Sequence, residues 1–222
     1  MVFILNIETS TKNCSVSLSK NGKVIALKEL NDGNYSHAEK LHVFIDDVLK
    51  EANINMQQLN AVAISKGPGS FTGLRIGVSA AKGLCFALDI PMISIDTLKS
   101  LALQVVVDVG YIIPMLDARR MEVYSAVFNK DCLLVRETEA QILDETSFQN
   151  YLENQQVHFI GDGVPKTKEL ISHPNAIFVE AKLPSANEMG MLAFQKFEQN
   201  DFENSAYFEP FYLKDFVANK KK

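Results

Sequence analysis

The sequence predicts an α/β fold of two lobes, each with its elements in the order βββαβα. Three observations predict it. Each half opens on three short strand-like runs separated by tight turns. Each then alternates helical-period segments with apolar runs short enough for buried strands. The order restarts near residue 105 with no residue-level repeat, so the lobes are read as residues 1–105 and 106–222.

Phe3 to Glu8 is rich in β-formers, and Cys14 to Ser19 alternates with Val16 and Leu18 on one face. Asn21-Gly22 is a strong hairpin turn, and Lys23 to Leu30 follows as a third strand. From Ser36 to Ala52 the spacing of Leu41, Phe44, Ile45, Val48 and Leu49 predicts an amphipathic helix, with Ser36 and Glu39 as a capping box. Asn60 to Ser65 reads as a buried strand, Ser70 to Leu88 as a second helix, Ile90 to Ile95 as a strand and Thr97 to Val107 as a helix.

The second half repeats this plan. Tyr111–Leu116, Glu122–Phe128 and Leu133–Glu137 are expected strands, Asp144–Asn154 a helix, and Val157–Ile160 a strand before Gly161-Asp162-Gly163. A helix over 166–172, a short strand over 177–179 and a helix over 185–199 complete the expectation.

With 47% hydrophobic and 22% charged residues, the chain is neither disordered nor of low complexity. Cys14, Cys85 and Cys132 are too few and too scattered for a disulfide scaffold and read as buried thiols in a reducing cytosol. The apolar start lacks the basic region of a secretory signal. The stretch Leu101–Leu116 is interrupted by Gln104, Asp108 and Pro114 and falls short of a span. These features predict a cytoplasmic protein with no membrane partner.

The net charge of −5 is uneven: residues 1–105 carry ten basic and nine acidic groups, residues 106–222 twelve and eighteen. A protein that grips nucleic acid unaided needs a basic excess, which this chain lacks. Lys220-Lys221-Lys222 reads as a solvated terminus.

The densest motif is Lys66-Gly-Pro-Gly-Ser-Phe-Thr-Gly-Leu-Arg-Ile-Gly77, a glycine-rich turn opening a helix. Helix starts of this kind can hold phosphate or can simply be tight turns. The spacing matches neither a P-loop nor a dinucleotide fingerprint. The helix is apolar around most of its circumference, with Gly73, Gly77 and Ala80 as a small-residue face and Thr72, Arg75, Ser79 and Lys82 as a narrow polar strip. Such a helix needs cover on both sides, either from helix 36–52 or from another chain.

Acidic turns at Glu8–Thr11 and Asp117–Arg119 occupy equivalent places in the two halves. His37 and His42, five apart, lie about 140° around a helix and do not form a chelating pair. No HExxH, CxxC or GxSxG occurs, so neither a metal site nor a serine nucleophile is expected.

These residues together resemble the bacterial TsaB (YeaZ) family. The segments that carry the likeness are Ile7–Thr11, Ser36–Leu41, Gly67–Gly77 with Ala81–Leu84, Asp117–Arg119 with Glu122–Tyr124, Gly161–Gly163, and Pro210–Lys214. They span nearly the whole chain in order. The resemblance implies an actin-like ASKHA fold and a subunit of the machinery that makes threonylcarbamoyladenosine in tRNA, on the adenosine 3′ of the anticodon. In that family the subunit pairs with its catalytic paralogue TsaD through first-lobe helices and activates it, and the ATPase TsaE joins the pair. The partners so implied are TsaD, TsaE, a second copy when the chain is alone, and tRNA through the complex only.

TsaD carries metal-binding histidines on the helix after the strand that follows its glycine-rich turn. The corresponding stretch here, Ile95–Ala102, has no histidine, so the resemblance implies a non-catalytic member with no metal. Glu8 stands where ASKHA ATPases have Asp, and Ser10 replaces a glycine that lets backbone approach phosphate. Both departures argue against productive ATP hydrolysis. The expected remnant of a nucleotide cleft is Glu8, Thr9, Ser10, Thr11, Asp117, Arg119, Gly161 and Gly163, with at most weak ATP or ADP binding in the complex and no cofactor required. The expected partner interface is Leu41, Ile45, Phe71, Gly73, Leu74, Gly77, Val78 and Ala81. The alternative is an ASKHA-type ATPase or small-molecule kinase using the same turns.

Overall fold

Two five-stranded sheets of the same topology make up the computed structural model, which describes residues 1–33 and 36–214. The Lys220–Lys222 tail lies outside the described residues. The first sheet has the order β3-β2-β1-β4-β5, from β1 (Phe3–Glu8), β2 (Cys14–Lys20), β3 (Lys23–Leu30), β4 (Ala61–Gly67) and β5 (Met92–Asp96). The second has the order β10-β9-β6-β7-β8, from β6 (Tyr111–Asp117), β7 (Glu122–Asn129), β8 (Leu134–Ile142), β9 (Val157–Ile160) and β10 (Ala176–Val179). Read from its other edge, the second order is the first one repeated. In each sheet the first three strands are antiparallel and the last two run parallel to the first strand.

The helices are α1 (His37–Glu51), α2 (Phe71–Leu88), α3 (Thr97–Ala102), α4 (Gln149–Leu152), α5 (Val164–Leu170) and α6 (Met189–Glu198). α1 and α2 cover one face of the first sheet, where Leu41, Ile45, Val48, Val78 and Ala81 meet Leu5, Ile7, Val62 and Ile64. α3 follows the first sheet in sequence but packs Leu98, Leu101 and Ala102 on Ile112, Leu116 and Phe128 of the second. α6 makes the reciprocal crossing, setting Met189 and Ala193 against Ile4, Ala61 and Ile93 of the first. The lobes are thus joined by two exchanged helices.

Several boundaries differ from the sequence reading, each for a local reason. Ser36 sits at the α1 start, but its hydroxyl donates to Asp32 rather than capping a helix N–H. α3 ends at Ala102 because Gln104 turns away to donate to Leu183 O at 2.8 Å. Residues 144–148 stay out of α4. Asp144 Oδ1 accepts from Thr146 N and Ser147 Oγ, a local turn that competes with helix, and Phe148 takes φ 63°. α6 starts at Met189 because Ala186 is tied to β2: its N–H donates to Ser15 Oγ and its carbonyl accepts from Ser17 Oγ. β8 runs on to Ile142, past the expected end at Glu137.

By length and composition α2 could cross a membrane. Here it is a covering helix, with Gly73, Leu74, Gly77, Val78, Ala81 and Cys85 buried in the first lobe.

Candidate functional site

The glycine-rich turn and α2 close over the first acidic turn. A Cβ at Gly69 would lie 2.4 Å from Ser10 O, one at Gly73 2.1 Å from Thr9 O, and one at Gly77 2.3 Å from Thr9 Oγ1. Glycine at these three positions lets the start of α2 press directly on residues 9 and 10. Ser70 N donates to Ser10 O at 2.6 Å, and the Ser70 hydroxyl caps α2 at Gly73 N. From the α1 side, His37 Nε2 donates to Thr11 O at 2.7 Å. Gly73 and Gly77 of the small-residue face therefore pack within the chain, while Ala80 is only half-buried.

The consequence is that Glu8, Thr9, Ser10 and Thr11 are all buried. Glu8 Oε1 accepts from Ser10 N at 2.6 Å, while Thr9 Oγ1 has no partner among the described residues. Burial pushes the Glu8 carboxyl above its ordinary range, against the pull of its hydrogen bonds. The four residues expected to line the first half of a cleft thus lie buried beneath the start of α2.

The second acidic turn is open. Asp117, Arg119 and Asp162 are exposed, whereas Gly161 and Gly163 are buried beneath them. A Cβ at Gly161 would lie 2.1 Å from Met115 O, so this glycine serves close backbone packing. Asp117 N donates to Asp162 Oδ1, and Asp117 Oδ1 accepts from Arg119 N. Lys166 Nζ reaches Asp117 Oδ1 at 2.5 Å and the carbonyls of Arg120 and Glu122 at 2.8 Å each. It steadies a hairpin tip in which Arg119 and Arg120 both have positive φ. Lys214 pairs with Glu122 beside this turn.

The expected interface residues need correction. Leu41, Ile45, Gly73, Leu74, Gly77, Val78 and Ala81 are buried in the first lobe, and only Phe71 is partly exposed. The seven buried residues hold the helices on the sheet, while Phe71 lines the outward groove. The outward face is the next one round α2. Thr72, Arg75, Ser79, Gly83 and Phe86 are exposed there, with Ile76, Ala80 and Leu84 half-buried beside them. With His42 of α1 this face forms an open groove of about 690 Å³, mostly apolar. Phe86 is 91% exposed. The polar strip Thr72, Arg75 and Ser79 was the sequence signal that marked this face, since in a helix otherwise so apolar it is the side kept from the core.

Gly83 lies on this outward face. An added Cβ there would meet nothing within 4 Å. Glycine within a helix costs about 1 kcal/mol relative to alanine. No contact among the described residues accounts for that cost, in contrast to Gly73 and Gly77.

Two lobes of one topology, joined by exchanged helices and each carrying an acidic turn after its first strand, define the actin-like ASKHA class. A family model for TsaD, tRNA N6-adenosine threonylcarbamoyltransferase, matches residues 32–222. The tRNA threonylcarbamoyladenosine biosynthesis protein TsaB of Escherichia coli (strain K12) is 32% identical over 98% of this chain and 97% of its own length. TsaB of Haemophilus influenzae is 29% identical, covering 98% and 96%. The solved structure of YeaZ from Pseudomonas aeruginosa superposes with a TM-score of 0.82 at 25% identity, covering 96% of this chain and 100% of that one. The chain belongs to the TsaB (YeaZ) family.

Proposed function

We propose that this chain is the non-catalytic subunit of the system that places threonylcarbamoyl on the adenosine 3′ of the tRNA anticodon. It pairs with the catalytic paralogue TsaD through the outer α1–α2 face and activates it. Family membership supports the pathway, since the related proteins carry that pathway in their names. The observation that carries the pairing is Gly83: an unexplained glycine at the centre of an apolar groove fits close approach of another helix. The plugged first turn supports a chain that requires no nucleotide of its own. TsaE and tRNA then meet the assembled pair rather than this subunit alone, and a second copy takes the groove when TsaD is absent.

The test is reconstitution of threonylcarbamoyl transfer onto unmodified tRNA from the purified partners, with and without this chain. Transfer that needs the chain, and fails with Gly83→Glu, is the expected result. Equal transfer without it overturns the proposal.

A further inference from the structure

The groove on the outer α1–α2 face is mostly apolar but not uncharged. Of its nine lining residues, Arg75 alone is an arginine, lysine or carboxylate. None of the charged side chains of α1 lines it, and Asp46 of α1 is already paired with Lys50. Lys82 of α2 stands outside the lining as well and donates to Ala206 O at 3.3 Å.

Arg75 is exposed, yet its side chain is held. The guanidinium lies 4.6 Å from the centre of the Phe71 ring, and that ring packs on Tyr212 at 5.1 Å. Stacking engages the face of a guanidinium and leaves its edge, with five N–H donors, for acceptors. Arg75 forms no ion pair among the described residues. Arg136, stacked on Phe148 at 5.2 Å, shows the contrast: its edge is filled by Glu139, Gln141 and Ser125.

The open edge matters once the groove is covered. A guanidinium taken out of water without a counter-charge is strongly unfavourable. An occupant of the groove therefore has to bring a carboxylate. Two copies of one chain related by a two-fold axis present the same patch to each other. A second copy docked by this face thus adds a second Arg75 and no carboxylate from the lining. Arg75 and Gly83 are about 12 Å apart along α2, at 1.5 Å per residue. The fitting partner is an apolar helix whose carboxylate sits about two turns from its closest approach at Gly83.

We infer that Arg75 selects the occupant of the groove. It favours a helix of another protein that sets a carboxylate opposite the guanidinium, and it holds a second copy of this chain to weak association. This rests on the reading that the catalytic paralogue docks on the outer α1–α2 face, and adds the chemistry of the matching group. One residue then attracts the right partner and disfavours the wrong one, the two components from which specificity is built.

The test is sedimentation of Arg75→Leu, alone and mixed with TsaD, beside the wild type and Gly83→Glu. Leucine keeps apolar bulk and removes the charge. Mixed pairing should weaken about thirtyfold or more, and self-association should tighten about tenfold. The two changes run in opposite directions, so a damaged fold cannot produce both. Arg75 is exposed, and an unchanged melting temperature is expected. Arg75→Glu should lose mixed pairing, and a single acid-to-lysine change in the partner's docking helix should restore it. Mixed pairing by Arg75→Leu as tight as that of the wild type overturns the inference, as does self-association that stays the same or weakens. So does failure of every such change in the partner to restore Arg75→Glu. If Gly83→Glu pairs normally, the docking face is wrong and the role of Arg75 falls with it. If Gly83→Glu loses pairing while Arg75→Leu keeps it, the face stands and only the role of Arg75 is overturned.

Discussion

The two lobes share a strand order but differ in their helices and in their acidic turns. In the first lobe α1 and α2 have 15 and 18 residues; the corresponding α4 and α5 have 4 and 7. The long pair does two tasks with opposite faces. Its inner face presses glycines onto the Glu8–Thr11 turn and closes it, while its outer face leaves an apolar groove. The short pair does neither, and the Asp117 turn stays open, steadied by Lys166. The same helix, α2, closes the first turn with one face and lines the groove with the other.

The sharpest way to break this comparison is to add one methyl group at matching places. Gly73→Ala would drive a Cβ to within 2.1 Å of a backbone carbonyl on the buried turn. We expect a loss of about 3 kcal/mol or more, because backbone cannot swing aside. Gly163→Ala, at the start of α5, meets side-chain atoms and no backbone, Val123 Cγ1 at 2.9 Å and Met115 Cγ at 3.1 Å. It should cost about 1 kcal/mol. Urea denaturation of the two variants measures the difference, and equal losses would mean that the closure of the first turn is not tight.

The outer face of α2 is separated from the inner one by substitutions at Gly83. Gly83→Ala should stabilise the isolated chain by about 0.5–1 kcal/mol, since the site is open and alanine is the better helix former. Gly83→Glu should leave the isolated chain folded and weaken pairing with TsaD about a hundredfold, through a buried unpaired charge. Melting temperature and sedimentation of the mixed proteins read the two effects. Unchanged pairing by Gly83→Glu would remove the partner surface from α2.

Much of this was legible in the sequence, and the misses share a cause. The order of elements along the chain, the hairpin at Asn21-Gly22 and the duplicated plan follow from period and turn chemistry, which are local. The apolar seam of α2 was legible as well. What the sequence could not tell was which side of a nearly all-apolar helix meets its own sheet. Gly73 and Gly77 read as a surface for another chain because small residues permit close approach, but the approaching backbone is that of Thr9 and Ser10. Deciding between the two requires knowing how near the β1–β2 turn lies, a tertiary fact. Likewise Asp117 and Glu8 look equivalent as acidic turns, and only the packing of α2 makes one buried and the other exposed. The exchange of α3 and α6 between sheets was equally beyond reach, since a helix's pattern does not name the sheet it covers.

In the open turn, Lys166 is the group to remove. Its ammonium is largely shielded and holds one carboxylate and two carbonyls around Arg119 and Arg120. Lys166→Met keeps the apolar stem and should cost about 1–2 kcal/mol, reduced by the partial exposure of Asp117. The readout specific to the turn is trypsin cleavage after Arg119 or Arg120, which should quicken before the rest of the chain opens. Cleavage at an unchanged rate would show that the positive-φ tip does not depend on Lys166.

The smallest effect compares the two carboxylates directly. Burial raises the folded-state pKa of Glu8 above its ordinary value of 4.5. A carboxyl raised on folding favours the fold below its unfolded pKa, and that contribution is lost as pH rises through the folded value. Glu8→Gln, which mimics the protonated form, should therefore gain on the wild type as pH rises from about 4 to about 8, ending about 1 kcal/mol or less more stable. Asp117→Asn is the opposite case: it removes an ion pair with Lys166 from an open turn and should destabilise at neutral pH. Melting temperatures of the two variants across that pH range give the comparison. A stability difference for Glu8→Gln that stays flat, or runs the same way as that of Asp117→Asn, would show that the first turn is as solvated as the second, and the plug formed by α2 would have to be abandoned.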